Sequence, residues 1–158
     1  MRYRGGGAGA KAAARFSIHG RGYPLMKALT WDKTLSVDVA EIDEDHRRLV
    51  DLYNVLSRAV ADGDSTEYVE AVTDELIACT VWHFRHEERL MLRHGYPGLP
   101  EHKAEHEELI DSVKDLQQKL RDAGDAVSAQ QVEFLERWLM EHIYGADMKM
   151  GAYLCAAM

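Results

Sequence analysis

Five histidines and one acid in this chain stand at spacings that would let them converge, and a second acid lies close by in sequence. His83 and Glu87 are four residues apart, and so are His102 and His106. On a helix each pair shares one face about one turn apart. His46 and His142 each sit in an otherwise apolar stripe. A buried imidazole needs a hydrogen-bond partner or a metal, and a lone buried carboxylate is worse placed still. One such histidine reads most simply as a satisfied core residue. Five of them with a carboxylate cannot all satisfy one another in a small volume, and a bound metal resolves the conflict. Asp147 fits less easily. It lies five residues beyond His142, which on a straight helix of ~3.6 residues per turn rotates it about 140° away. To reach the same metal it needs a helix end or a local distortion.

The surrounding pattern supplies four helices and no strand. The first spans about 43–61, with His46, Leu49, Val50, Tyr53, Leu56 and Val60 on one stripe, and stops at Gly63. The second starts near Asp64, where Asp64 and Glu67 have capping-box spacing. It carries Val69, Val72, Leu76, Cys79, His83, Glu87 and Leu90 before the break at His94–Gly98. The third opens with Pro100 in its first turn and runs to about Arg121, presenting His102, His106, Leu109, Val113, Leu116 and Leu120. Ser128 and Gln131 cap a fourth, with Val132, Leu135, Trp138, Leu139, His142 and Ile143 inward. Short connections make neighbours antiparallel, so the fold class is an all-α, up-down-up-down four-helix bundle. In that arrangement the start of one helix lies beside the end of the next. All six of His46, His83, Glu87, His102, His106 and His142 therefore gather at one end of the core. Trp31 and Val37 are expected to anchor an N-terminal extended arm against the bundle.

Bulk properties narrow the classes of function. A chain of 158 residues fits one domain with a continuous core. No apolar run reaches membrane-spanning length. The net charge of −8 argues against nucleic acid. The first 31 residues carry six cations and no acid, leaving an acidic body at −14. Residues 1–28, rich in Gly and Ala, lack any periodicity that could bury a face. An Arg-rich transit peptide would account for them, but an over-long start ahead of Met26 or a disordered extension is preferred. Residues 29–158 then form the bundle. Cys79 reads as a core residue and Cys155 has no obvious partner, so no disulfide framework exists and a reducing cytoplasm is the natural compartment. The acidic surface predicts a monomer.

The set His46, His83-xxx-Glu87, His102-xxx-His106 and His142-xxxx-Asp147 resembles the hemerythrin family, and within it the single-domain bacterial hemerythrins. Local wording agrees: Trp31 with Ser36-Val37, Ile42-Asp43 before His46, His83-Phe84 with Glu87-Glu88, and Trp138-Leu139 with His142-Ile143. The resemblance covers about residues 30–154. Met150, where many relatives carry an aromatic residue, and Asp38, where they often have Gly, are departures away from the ligand positions.

The resemblance implies two iron ions (Fe2+/Fe3+) joined by an oxo or hydroxo bridge. His102, His106 and His142 would hold one and His46 and His83 the other, with Glu87 and Asp147 bridging. The first ion then has six donors and the second five, which leaves one vacant position for a small molecule. The function implied is reversible dioxygen binding by a carrier, store or delivery protein rather than an enzyme, serving some oxygen-consuming enzyme. The resemblance also names Trp138, Leu139 and Ile143 as the oxygen-pocket wall, with Leu49 or Val50 contributing. By periodicity alone these are plain core residues, and both readings can hold together.

Other readings compete. An oxygen or redox sensor, or a peroxide or nitric oxide scavenger, could use the same site. His102-Lys103-Ala104-Glu105-His106 spells the HxxEH of a zinc peptidase, in which Glu105 would be the general base. That reading leaves three histidines unexplained. His86 is expected to face away from the Glu87 stripe into solvent, His94 to sit at a helix end or on the surface, and His19 to belong to the tail. Glu88 and Glu105 fall within charged runs expected to be solvated.

Overall fold

The computed structural model describes residues 28–158. The expectations for the N-terminal tail and His19 therefore lie, but for Ala28, outside the described residues. Four antiparallel rods make up the molecule: α1 (Ala40–Asp62), α2 (Thr66–His94), α3 (Leu99–Ala123) and a composite fourth. The last consists of α4 (Ala129–His142), a π-helical turn (Ile143–Asp147) and α5 (Met148–Ala157). No strand occurs among the described residues, and no helix there is long and apolar enough to cross a membrane.

Local chemistry sets the boundaries. α1 starts a few residues earlier than the sequence predicts because Asp43, in its first turn, ties down the preceding arm. Its carboxylate accepts from Ser36 Oγ at 2.6 Å and from the Val37 amide at 2.8 Å. α1 and α2 stop at Gly63 and Gly95, with φ of 71° and 68°, the left-handed region that glycine enters without a Cβ clash. The cap of α2 is Ser65, which accepts from the Tyr68 amide at 3.3 Å, and not Asp64. Asp64 is already engaged in closing α1, its amide donating to the Ala59 carbonyl. Pro100 lies in the first turn of α3, and the Ser128–Gln131 capping box opens α4, both as expected.

The arm runs along the bundle as predicted, with one 3-10 turn at Lys33–Leu35. Asn54 on α1 holds it through paired bonds to the Leu29 amide and carbonyl. Trp31 is half-buried, with its ring 6.2 Å from that of His46 and the Arg47 guanidinium stacked over it. Asp38, one of the departures from the family's wording, has φ 60°, a conformation that suits glycine better. Gly151 on α5 lets the Val37 backbone approach so closely that a Cβ there would collide with it.

Two apolar clusters fill the interior. The larger holds Leu49, Tyr53, Leu56, Val113, Val132, Leu139 and Ile143 among others. The smaller holds Val37, Val39, Ile42, Leu90, Met91, Met150 and Leu154. Along α1, His46 falls between Ile42 and Leu49; along α2, Glu87 falls between Phe84 and Leu90; in the fourth rod, Asp147 falls between Ile143 and Met150. A buried polar layer thus crosses the core between two apolar ones. Cys79 is half-buried against the larger cluster, and Cys155 is an exposed free thiol.

Candidate metal centre

Each rod contributes to the polar layer at the height its sequence dictates. His46 lies on the second turn of α1, His83 and Glu87 toward the end of α2, and His102 and His106 on the first turns of α3. His142 closes α4, and Asp147 closes the π-helical turn. All seven side chains are buried, with Glu87, Asp147 and His46 at 0% exposure.

The π-helical turn answers the difficulty with Asp147. A π turn holds more residues than an α turn, so a residue five positions on returns to the face that i+4 would occupy. Asp147 Oδ1 accordingly stands 3.0 Å from His142 Nε2.

The seven residues form two overlapping nests. In one, donor atoms of Glu87, His102, His106, His142 and Asp147 lie mutually close; in the other, those of His46, His83, Glu87 and Asp147 do. The two carboxylates divide their oxygens between the nests. Glu87 Oε2 is 3.1 Å from His106 Nε2 and 3.5 Å from His102 Nε2, while Oε1 is 3.6 Å from His83 Nε2. Asp147 Oδ1 is 3.1 Å from His102 Nε2, while Oδ2 is 3.2 Å from His46 Nε2.

These short approaches are not satisfied hydrogen bonds. Both oxygens of Glu87 and of Asp147, both ring nitrogens of His46 and of His102, and Nδ1 of His83 have no hydrogen-bond partner. Each orphaned buried polar group costs about 1–3 kcal/mol, so together they rival the whole stability of a typical domain, roughly 5–15 kcal/mol. The other two histidines make the same point differently. His106 Nδ1 faces Glu88 at 3.2 Å and His142 Nδ1 faces Glu105 at 2.9 Å. A carboxylate only accepts, so each Nδ1 carries the hydrogen and each neutral ring turns a lone pair inward from Nε2. Those two Nε2 atoms are 3.1 Å apart. Lone pairs converging at that distance repel unless a cation lies among them.

Titration points the same way. Burial, the largest influence, and the Asp147 charge both push the Glu87 carboxyl up. The His83 charge and the close His102 and His106 rings outweigh them and hold it well below the usual carboxylate range. Asp147 is likewise lowered against burial, by the adjacent His102, His142 and His46 rings. Burial opposes charge on His102, but Asp147 and Glu87 push it up to about 9. The layer therefore demands positive charge, and the residue types fit a metal pair: nitrogen donors for a first-row transition ion and two carboxylates to neutralise and bridge.

The family model described as the hemerythrin HHE cation binding domain matches residues 37–154. The chain belongs to the hemerythrin family. It is 35% identical over 133 residues to a bacteriohemerythrin of Methylococcus capsulatus, covering 83% of this chain and 100% of that one. It is 33% identical over 127 residues to the myohemerythrin of Riftia pachyptila, covering 80% and 94%. A crystal structure of wild-type hemerythrin superposes with a TM-score of 0.75 at 31% identity, covering 81% of this chain and 98% of that one.

Several residues of this hemerythrin fold play parts that the charge pattern does not suggest. Glu88 and Glu105 are not merely solvated, since each backs a site histidine through Nδ1. Glu105 thus faces the outer edge of His142, away from the converging Nε2 atoms, where a zinc peptidase's base would not stand. His86 is not a solvated histidine either. Its Nδ1 lies 2.7 Å from Asp45 Oδ2 and its Nε2 lies 3.1 Å from Glu41 Oε2. Asp45 Oδ2 in turn lies 3.5 Å from His83 Nδ1. None of these pairings is visible along one helix, because the partners sit on different ones. His94, the last residue of α2, is half-buried, and its carbonyl accepts from the Tyr153 hydroxyl.

Leu139 and Ile143 are buried beside His142, and Trp138 is half-buried. Phe84 joins them. Its ring stacks on His106 at 3.7 Å, meets His142 edge-on at 5.2 Å and lies 6.2 Å from Trp138. Its place beside His83 in the family's wording was its only sequence signal. Leu49 and Val50 are buried on α1 in the same apolar cluster as Leu139 and Ile143.

Proposed function

We propose that this chain binds and releases dioxygen at a pair of iron ions, acting as a carrier or store that supplies an oxygen-consuming enzyme. The observation that carries the reading is the division of each buried carboxylate, one oxygen toward His46 and His83 and the other toward His102, His106 and His142. Carboxylates so placed serve two ions at once, and shared membership of both nests supports the same assignment.

In this reading His102, His106 and His142 would hold one ion and His46 and His83 the other, with Glu87 and Asp147 shared. The second nest offers one nitrogen fewer, which leaves room for an exogenous ligand on that side. An iron pair held there would supply, in its ferrous state, the two electrons that reversible dioxygen binding requires. The residues of the chain do the rest. Glu88 and Glu105 fix the His106 and His142 tautomers so that Nε2 faces inward. Phe84, Leu139 and Ile143, with Trp138 outside them, keep water and protons from the layer, which favours release over irreversible oxidation. Glu105 is committed to His142, and the role proposed is binding rather than turnover.

The test is an iron assay beside visible spectra of the reduced protein before air, after air and after oxygen is removed. Two irons per chain and an absorption that appears and disappears with oxygen are expected. Fewer than two irons, or a spectrum indifferent to oxygen, would overturn the reading.

A further inference from the structure

His86 is close to the site yet is not among the seven converging residues. Its ring spans from α2 to α1, with Nδ1 2.7 Å from Asp45 and Nε2 3.1 Å from Glu41. Glu41 and Asp45 are one helical turn apart on α1, so the ring is gripped at both edges by one face of that helix. The grip is shielded at its inner end, where the His86 and Asp45 side chains are 11% and 10% exposed, and opens to solvent only at Glu41.

Asp45 is the hinge of this arrangement. Its Oδ2 serves His86 and also lies 3.5 Å from His83 Nδ1. It immediately precedes His46, whose ring centroid is 4.7 Å from that of His83. One carboxylate therefore sits behind His83 in the second nest, and His86 fixes which way it points. The first nest is backed differently. Glu88 and Glu105 each reach a single histidine from α2 and α3, and neither touches the His86 network.

We infer that His86, acting through Asp45, is a positioning residue for the His46–His83 half of the centre alone. It clamps α1 to α2 at the height of the layer and holds the Asp45 carboxylate 3.5 Å from His83 Nδ1, an ion-pair approach to an atom with no hydrogen-bond partner of its own. The inference rests on the two-ion reading of the site and adds that the two ions depend on different supports. Outer hydrogen-bond partners of metal-bound histidines typically change metal affinity by about 10–100-fold when removed. Here that loss should fall on one ion of the two.

The experiment uses the whole chain loaded with cobalt(II), whose visible absorption reports coordination, and follows ion release to a chelator. The parent should release two ions. His86→Leu, which cannot bond to Asp45, should release one of them about 10–100-fold faster and leave the other at the parent rate. His86→Asn places an amide donor near the position of Nδ1 and should restore much of the difference. Asp45→Asn should speed release of the same ion, which keeps the test available if His86→Leu does not fold. Equal acceleration of both ions, no acceleration, or an Asn variant no better than Leu would overturn the inference. A parent that holds no pair of ions would instead overturn the two-ion reading itself.

Discussion

Asp147 Oδ1 stands 3.0 Å from His142 Nε2 although five residues separate the two, because the turn between them is a π-helix. Its other oxygen is then free to face His46 at 3.2 Å. One widened turn thus lets a single side chain touch both nests.

The first prediction concerns that sharing. Asp147→Ala should abolish iron binding in both nests, whereas His46→Ala should weaken only the one it belongs to. Iron per chain, measured after desalting, is expected near zero for the first variant and near one for the second. Equal stoichiometry in the two would contradict a bridging role.

Loss of the outer wall should act on lifetime, not on loading. Trp138→Ala opens a path beside Phe84 while leaving every nest residue in place. Iron content should match the parent, and the oxygenated form should decay several-fold faster. A decay rate unchanged in the variant would show that Trp138 is packing only.

Acidity should affect the metal-free and loaded proteins in opposite directions. The His102 pKa is raised from 6.5 to about 9 by Asp147 and Glu87 acting against burial. That stabilisation of the metal-free fold is fully present below about pH 6.5 and is lost as pH rises through about 9. With metal bound, protons compete for the same nitrogens, so loading and the stability it confers fall as pH drops. Melting temperatures from pH 6 to 10 should decline for the stripped protein, and those from pH 7 to 5 should decline for the loaded one.

Gly151→Ala should destabilise the fold by about 1–3 kcal/mol through overpacking, since the new methyl meets the Val37 backbone. Denaturant titration measures it. An unchanged midpoint would mean that the arm can shift aside freely.

Much of this was legible in the residues. The i,i+4 pairs on α2 and α3 and the isolated His46 and His142 place six side chains at one end of a bundle by periodicity alone, and the helices follow from the same pattern. Asp147 was not reachable in that way, because a π-helical turn answers to tertiary packing that no local spacing reveals. Its place came from family wording. The partners of His86, Glu88 and Glu105 were missed for a related reason, although Glu105 is exposed as expected. Each looks solvated on its own helix, and each is engaged by a residue 18 to 45 positions away. Asp64 failed as the cap because the end of α1 had already claimed its amide.

The layer of acids and imidazoles divides the interior into unequal parts. The part that joins the arm, α5 and the end of α2 contains fewer sealed apolar side chains than the part beyond His142. Its opening therefore exposes less hydrocarbon to water, and it is the end of the molecule that should part first. Ions held at the boundary fasten the weaker half to the stronger, so emptying the centre should loosen α5 and the α2–α3 junction before the far end of the bundle.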